Sequence, residues 1–325
     1  QKIENKIHDK IILSLEENIK KIDKNIFTAF LEIKEKIFSD SKKQVSLLPY
    51  YFYCSLKKRY KKKISKKILI ALGLANTYGW IAYTIYDDFL DNEGDAKLLS
   101  LANISLRKVT QIYEDLFKNN LKFTSFYYAT MDIIDKANMW EVLHTRTPLS
   151  KITPTDIPQY GSLQQLAEKS LGHMLSPMAI MQICKINNKQ QKYFMEFFIH
   201  YLIARQLNDD AHDWERDLKR NQINAVGSLL LKHAVKQKIS FTNAKALQSL
   251  FWTKTVISIN KAVQSHVKEA EFYLNKCNFI ENKDIFKALL DTYSKAMEQA
   301  IEERKQALGF LEEYSVSRSS KKDLL

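Results

Sequence analysis

The sequence predicts an all-α fold, and three observations carry that prediction. Of 325 residues only seven are Gly and five are Pro. Average usage would put roughly forty there, because sheets and their turns need left-handed backbone and rigid corners. Apolar residues recur at three- and four-residue steps over most of the chain. No Gly-rich phosphate loop of the dinucleotide-binding kind is present.

Composition bounds the function classes. With 45% apolar residues, 17 Phe and 16 Tyr, the chain can bury a sizeable core. A charged fraction of 27% does not mark it as disordered. The balance of 50 Lys and Arg against 37 Asp and Glu gives +13. That suits polyanionic, anionic-lipid or phosphorylated ligands, and equally a Lys-rich surface with no partner. Cys54, Cys184 and Cys277 are odd in number, widely spaced and without a CxxC, so a reducing compartment and no disulfide framework are expected. Residues 1–10 carry charges where a secretory signal has an apolar core. The expected location is cytoplasmic, with membrane-peripheral association through the basic run below.

The elements follow in order. Residues 1–38 read as one amphipathic helix, with Ile7, Ile11, Ile12, Leu15, Ile19, Ile22, Ile26 and Phe30 on its apolar side. Residues 39–49 read as a polar break ending at Pro49. Between Lys57 and Lys67 eight of eleven residues are basic. Ile68 to Tyr86 then gives nineteen residues without a charge, long enough to cross a membrane. It holds Gly73, Asn76, Thr77, Gly79 and Thr84 and runs straight into acids. It therefore reads as the buried helix of a soluble core, with polar side chains facing a cavity. Helical periodicity resumes over 98–143. Pro148, Pro154 and Pro158, closed by Gly161, mark a loop between two helical halves. Helices are expected at 162–186, 189–219, 223–235, 242–276 and 283–315. The organisation expected is an N-terminal helix (1–40) on a main domain (41–315), then a disordered tail (316–325).

Two acidic clusters carry the chemistry. Asp87, Asp88 and Asp91 follow the charge-free run, and Asp87 and Asp91 share a helix face at i, i+4. Like charges at that spacing destabilise a helix, and hard carboxylate oxygens are what Mg²⁺ prefers. One DDxxD alone is equally a solvated helix end. A second, 122 residues on, makes that reading harder to hold: Asp209 and Asp210 open it, and Asp209, Asp213 and Asp217 form a stripe at i, i+4, i+8. It too follows an apolar aromatic helix (Tyr193, Phe194, Phe197, Phe198, Tyr201, Leu202). Facing stripes would rim an apolar cavity suited to a diphosphate bridged by Mg²⁺ with a hydrocarbon tail below. Dry aromatic walls would shield a carbocation and stabilise it by cation–π contact.

Both clusters resemble motifs of the class I isoprenoid synthase superfamily, the trans-prenyl diphosphate synthases and their terpene cyclase relatives. "YDDFLDNEGD" is similar to the first aspartate-rich motif, and "RQLNDDAHD" resembles the second, with Gln206 three before Asp209. "EKSLGHML" resembles the preceding Lys-Thr motif, with Ser170 in place of Thr, and "DLKRNQIN" the stretch that follows the second motif. The likeness spans roughly residues 50–235. It implies an isoprenoid synthase-like helical bundle around a central cavity, three Mg²⁺ ions and a prenyl diphosphate substrate. Asp87, Asp88, Asp91, Asp209, Asp210 and Asp213 would be catalytic, with metal held by Asp87, Asp91, Asp209, Asp213 and Asp217. Lys169, Arg205, Gln206, Lys219 and Arg220 would serve the diphosphate. Trp80, Tyr83, Thr84, Ser170, His173, Phe198 and Leu202 would line the cavity, though Trp80, Tyr83 and His173 equally suit a packed core. A homodimer is a further implication of the resemblance.

The departures bear on the reaction. The family's Arg pair after the first motif is missing from Asn92–Lys97, and its upstream GKRxRP is absent unless Lys57–Lys63 substitutes. Those groups hold the second substrate, isopentenyl diphosphate. The cyclases' sensing Arg and C-terminal Arg-Tyr pair are missing too. The leading expectation is Mg²⁺-dependent ionisation of an allylic prenyl diphosphate followed by prenyl transfer. Cyclisation to a terpene is the alternative. A third reading is a non-catalytic basic protein that binds anionic membranes through Lys57–Lys67. No nucleic-acid-binding motif is present, so no nucleic-acid partner is expected.

Overall fold

A computed structural model describes residues 2–38, 43–91 and 93–322. Among them the chain is helical, with no strand beyond two isolated bridges. The helices are α1 (Lys2–Lys20), α2 (Lys24–Phe38), α3 (Lys43–Ser55), α4 (Lys58–Lys61), α5 (Lys66–Leu90), α6 (Leu99–Phe117) and α7 (Leu121–Thr145). There follow α8 (Gln164–Glu168), α9 (Gly172–Ile183), α10 (Asn188–Lys219), α11 (Ala225–Lys236), α12 (Ala244–Leu250), α13 (Val256–Lys276) and α14 (Asp284–Lys322). The all-α class is as the sequence predicts. The described chain divides into two units. The first comprises Gln1–Ile134, Leu171–Met195 and Cys277–Ile285; the second comprises Asp135–Ser170, Glu196–Lys276 and Phe286–Leu325.

Several boundaries differ from the sequence reading, each for a local reason. The expected single helix over 1–38 breaks at residues 21–23, because Asp23 Oδ1 accepts the backbone N–H groups of Asn25 (2.7 Å) and Ile26 (3.1 Å) and starts α2 afresh. Ile7, Ile11, Leu15 and Ile19 still form one buried stripe on α1, while Ile22, at the break, is 43% exposed. The expected helix over 162–186 is interrupted between α8 and α9, so Lys169 and Ser170 sit in a turn. The expected helix over 242–276 is α12 and α13 joined by a π-turn at Phe251–Thr255. Residues 316–322, assigned to a disordered tail, continue α14, and 323–325 lie outside the described residues. The loop with Pro148, Pro154 and Pro158 falls where expected, pinned by Ser228 Oγ donating to Pro158 O (2.6 Å).

In the first unit α5 is the central element. Lys66–Leu90 is the one helix among the described residues long and apolar enough to cross a membrane, yet 61% of its apolar window is buried in the fold, as in a core helix. Leu69, Leu72, Leu74, Ala75, Tyr78, Ile81, Ala82 and Ile85 are buried. Two of its polar residues, Asn76 and Thr77, serve packing, where the sequence had suggested side chains facing a cavity. Pro49 lies inside α3, not at the end of a break, and has no N–H for the carbonyl of Val45. Asn76 Nδ2 donates to that carbonyl (3.1 Å) and to Ser176 Oγ (3.0 Å) on α9. One turn earlier, Gly73 lets α5 approach closely: a Cβ there would lie 2.4 Å from Ile11 Cδ1 and 2.5 Å from Ser46 O. Thr77 Oγ1 donates to Gly73 O (2.8 Å).

The second unit contains a half-buried imidazole pair. Nδ1 of His200 on α10 and Nδ1 of His266 on α13 are 2.8 Å apart, and Tyr273 stacks on His200 at 5.9 Å. Burial lowers both histidines, His266 to about 4, with repulsion between the rings adding to the effect on His266; Glu269 opposes it on both, and Glu196 on His200.

Two outcomes follow from this packing. Gly73→Ala must displace the backbone of α3, and Asn76→Leu strands a buried carbonyl, which costs about 1–3 kcal/mol; each should lower the midpoint of denaturant unfolding. The histidines favour the folded state fully above their unfolded pKa near 6.5, and that contribution drains as pH falls toward their lowered folded values. The wild type should therefore lose more thermal stability between about pH 7 and pH 5 than His266→Gln, as followed by circular dichroism melts.

Candidate active site

The predicted site residues fall on both units, each of which builds its own part. In the first unit the acidic residues close α5. Asp91 caps the helix, its N–H donating to Asp87 O at 2.9 Å. The chain then folds back: Glu93 N–H donates to Asp88 O (2.9 Å). Gly94 lies so close to the helix end that a Cβ would sit 2.5 Å from Phe89 Cα. The helix thus ends at Leu90, and Gly94 is needed for close approach rather than to stop it. Asp87 is exposed, and Asp88 and Asp91 are half-buried. Carboxylates here meet the negative end of the helix dipole, an unfavourable placement that a cation relieves. Part of that relief comes from α2, where Lys36 is ion-paired with Asp88. Lys97 bridges Glu32 (2.6 Å) and Asp95 (3.3 Å), and its partners hold its ammonium above the usual range. Further down α5, Trp80 and Tyr83 are half-buried, with Trp80 6.0 Å from the ring of His173 and Tyr83 edge-on to Tyr86 at 6.4 Å. Thr84 is half-buried between them and the acids.

In the second unit the last turns of α10 carry the other acids. Asp209 pairs with Arg205 (3.7 Å) and Asp213 with Arg216 (2.7 Å), and both acids remain partly exposed. Partial burial raises the Asp209 carboxyl, Asp213 adds to that, and Arg205 opposes it. Asp210 behaves differently from its neighbour. It is 5% exposed; Gln206 Nε2 donates to Oδ1 (2.8 Å) and Ala225 N–H, at the start of α11, to Oδ2 (2.9 Å). Burial pushes its carboxyl up to about 7, against the opposing effects of those two donors and of Lys169. Asp210, expected to be catalytic, is therefore a structural tie between α10 and α11. Gln206, expected at the diphosphate, donates to it. Asp217 Oδ2 accepts from Asn224 Nδ2 (2.8 Å), and that amide also bonds Asp210 O (3.2 Å), while Asn224 Oδ1 caps α11 through Gly227 N–H (2.8 Å). Asp217 is thus the most engaged member of the stripe.

Two further cations of this unit gather on Glu141 of α7. Lys169 is ion-paired with it, and Arg146 Nη2 lies 3.8 Å from its other oxygen. Ser170 is half-buried beside Lys169. Lys219 is well exposed and paired with Glu215 (2.6 Å), and Arg220 is exposed just beyond α10. Phe198 and Leu202 are buried among the aromatic residues of α10, Phe198 packing edge-on to Tyr201 at 5.6 Å. Sequence reasoning missed Lys36, Glu141, Arg146, Arg216 and Asn224. Only Asn224, just past the second motif and before an apolar run, carried a signal, that of a helix N-cap. Among the described residues no three His, Cys, Asp or Glu side chains already converge as a metal site. By donor chemistry Asp87, Asp91, Asp209 and Asp213 fit Mg²⁺, being carboxylates accessible to solvent; Asp210 does not, and Asp217 is held by Asn224.

Solved structures match the chain over most of its length. The geranylgeranyl pyrophosphate synthetase from the archaeon Geoglobus acetivorans aligns with a TM-score of 0.53 at 12% identity, covering 83% of this chain and 96% of its own. A second geranylgeranyl pyrophosphate synthase aligns with a TM-score of 0.53 at 15% identity, covering 83% and 97%. The chain has the prenyl diphosphate synthase fold. No protein-family model and no curated protein sequence matches it. The prenyl synthase fold is thus retained at an identity where residue roles must be argued from this chain's own contacts.

The contrast between adjacent acids is open to measurement. Asp210→Ala removes both acceptors of a buried tie and should destabilise the fold by about 1–3 kcal/mol. Asp209→Ala, at a partly exposed position, should shift stability by no more than about 0.5 kcal/mol. Urea unfolding of the two variants beside the wild type checks this.

Proposed function

We propose that the protein ionises an allylic prenyl diphosphate, with Asp87 and Asp91 of α5 and Asp209 and Asp213 of α10 as the Mg²⁺ ligands. One observation carries the reading: in a prenyl synthase fold, α5 ends in carboxylates set against its own dipole, and the last third of α10 carries a second set of accessible carboxylates. Bound Mg²⁺ supplies neutralisation of the diphosphate, which makes it a leaving group. The C–O bond breaks with its electron pair going to the diphosphate oxygen, leaving an allylic cation on the hydrocarbon. Lys169 and Arg146, gathered on Glu141, supply positive charge for the departing anion. Arg205 and Arg216 orient Asp209 and Asp213, and where those carboxylates held Mg²⁺ the two guanidinium groups would be available as donors to the diphosphate. Asp210 and Asn224 keep the end of α10 in register with α11 and take no part in proton or phosphate chemistry.

Prenyl transfer to isopentenyl diphosphate is the preferred fate of the cation, in keeping with the likeness to geranylgeranyl synthases. A specific observation favours cyclisation as the second reading. The segment after the first motif has no Arg pair, and its one cation, Lys97, is already engaged by Glu32 and Asp95.

Purified protein with Mg²⁺ and C10, C15 or C20 allylic diphosphates should release diphosphate. A strict requirement for isopentenyl diphosphate selects transfer, and hydrocarbon or alcohol formed without it selects cyclisation, read by mass spectrometry. Asp87→Ala with Asp91→Ala should lower turnover roughly a hundredfold or more, whereas Asp210→Asn should retain most of it. No turnover at any chain length, with no Mg²⁺-dependent binding, would overturn the proposal.

A further inference from the structure

We infer that the end of the first unit built around residues 57–67 is a docking surface for anionic lipid membranes. The run consists of α4, the turn after it and the first turn of α5. Lys58, Arg59, Lys62, Lys63, Lys66 and Lys67 are exposed and Lys57 and Lys61 half-exposed, and none of the eight forms an ion pair among the described residues. No acidic residue occurs between positions 41 and 86 to neutralise them along the chain. Lys66 and Lys67 also stand in the first turn of α5, where the helix dipole disfavours cations. The run is held against the fold, not trailing from it. Lys63 Nζ donates to Cys184 O (3.0 Å), Cys184 Sγ donates to Tyr60 O (3.6 Å), and Lys57 N–H donates to Phe279 O (3.1 Å).

The same end gathers further cations and an apolar group. Just beyond Cys184, Asn188 opens α10 and accepts from Lys122 Nζ (2.5 Å) at the start of α7. Beside Lys122, Leu121 is 81% exposed, the most exposed large apolar side chain in the described chain. Lys118, three residues before it, and Lys185, next to Cys184, are exposed as well. A basic surface with an apolar side chain projecting from it suits a lipid headgroup layer, which attracts each nearby Lys or Arg by about 1 kcal/mol and accepts the leucine below. Single-stranded RNA fits less well, because it needs open aromatic faces for base stacking. The ring of Tyr60, the aromatic residue within the run, is covered by Arg59 at 4.8 Å and approached by Lys63 at 6.0 Å.

The rise along α5 separates this surface from Asp87 by about 32 Å, so docking leaves the acidic end of the helix away from the lipid plane. The inference stands whether or not the proposed reaction does. It is tested by co-sedimentation of the full chain with phosphatidylcholine vesicles, with and without about 30% phosphatidylserine. Binding is expected to the anionic vesicles and to fall at least tenfold between about 0.05 and 0.5 M NaCl. Replacing Lys57, Lys58, Arg59, Lys61 and Lys62 together by Gln leaves the Lys63 latch intact and should weaken partition about tenfold or more. Leu121→Asn should weaken it a few-fold with the salt dependence kept. Equal binding to neutral vesicles, a folded five-residue variant that binds like the wild type, or tighter binding to a single-stranded RNA oligonucleotide at equal salt would overturn it.

Discussion

Helix α5 is charged against its own dipole at both ends, and much of the first unit is arranged around that cost. Lysines occupy its positive end and aspartates its negative end, each mismatch worth about 0.3–1 kcal/mol at an exposed position. An isolated peptide of this sequence would fray from both termini. Here the helix is held by its middle, where buried aliphatic and aromatic residues pack on α1, α3, α6 and α9. Gly73 permits the approach to α1 and α3, and Asn76 repairs the hydrogen bond that Pro49 leaves open. The core thus supports two unfavourable charge clusters, and an unfavourable cluster on a fixed support is poised to receive a counter-charge.

The second unit handles its acidic end by other means. Its carboxylates are balanced from within: Arg205 and Arg216 answer Asp209 and Asp213, and Asn224 answers Asp217. These pairs lie at or near the surface and are individually weak, so exchanging an arginine for a divalent ion is inexpensive. The buried members, Asp210 with Gln206 and the Ala225 N–H, are not exchangeable on those terms. A five-residue motif, Asp209 to Asp213, therefore contains both replaceable and fixed contacts, separated by little more than which way each side chain leaves the helix.

That separation marks how far the sequence could be read. The all-α class and the core role of residues 68–86 were legible because composition and the lack of charge are properties of one segment. So was the Pro-rich loop, since three prolines break helices wherever they stand. The break at Asp23 was not, because the isoleucines on either side keep helical spacing across it and a cap is a matter of local geometry. Pro49 misled because its compensating donor, Asn76, lies on another helix. Asp209 and Asp210 look alike in sequence, and only the arrival of α11 tells them apart. Lys36 and Glu141 gave no sign, since each gains its meaning from a partner far along the chain, and Arg146 gains its own through Glu141.

Cys184 offers a different view of the first unit. One residue latches the 57–67 turn twice, through its thiol and through its carbonyl, and burial raises the thiol to about 11. A thiol so protected reacts only when the turn lifts. The rate of its alkylation is therefore a clock for that motion, already built into the chain.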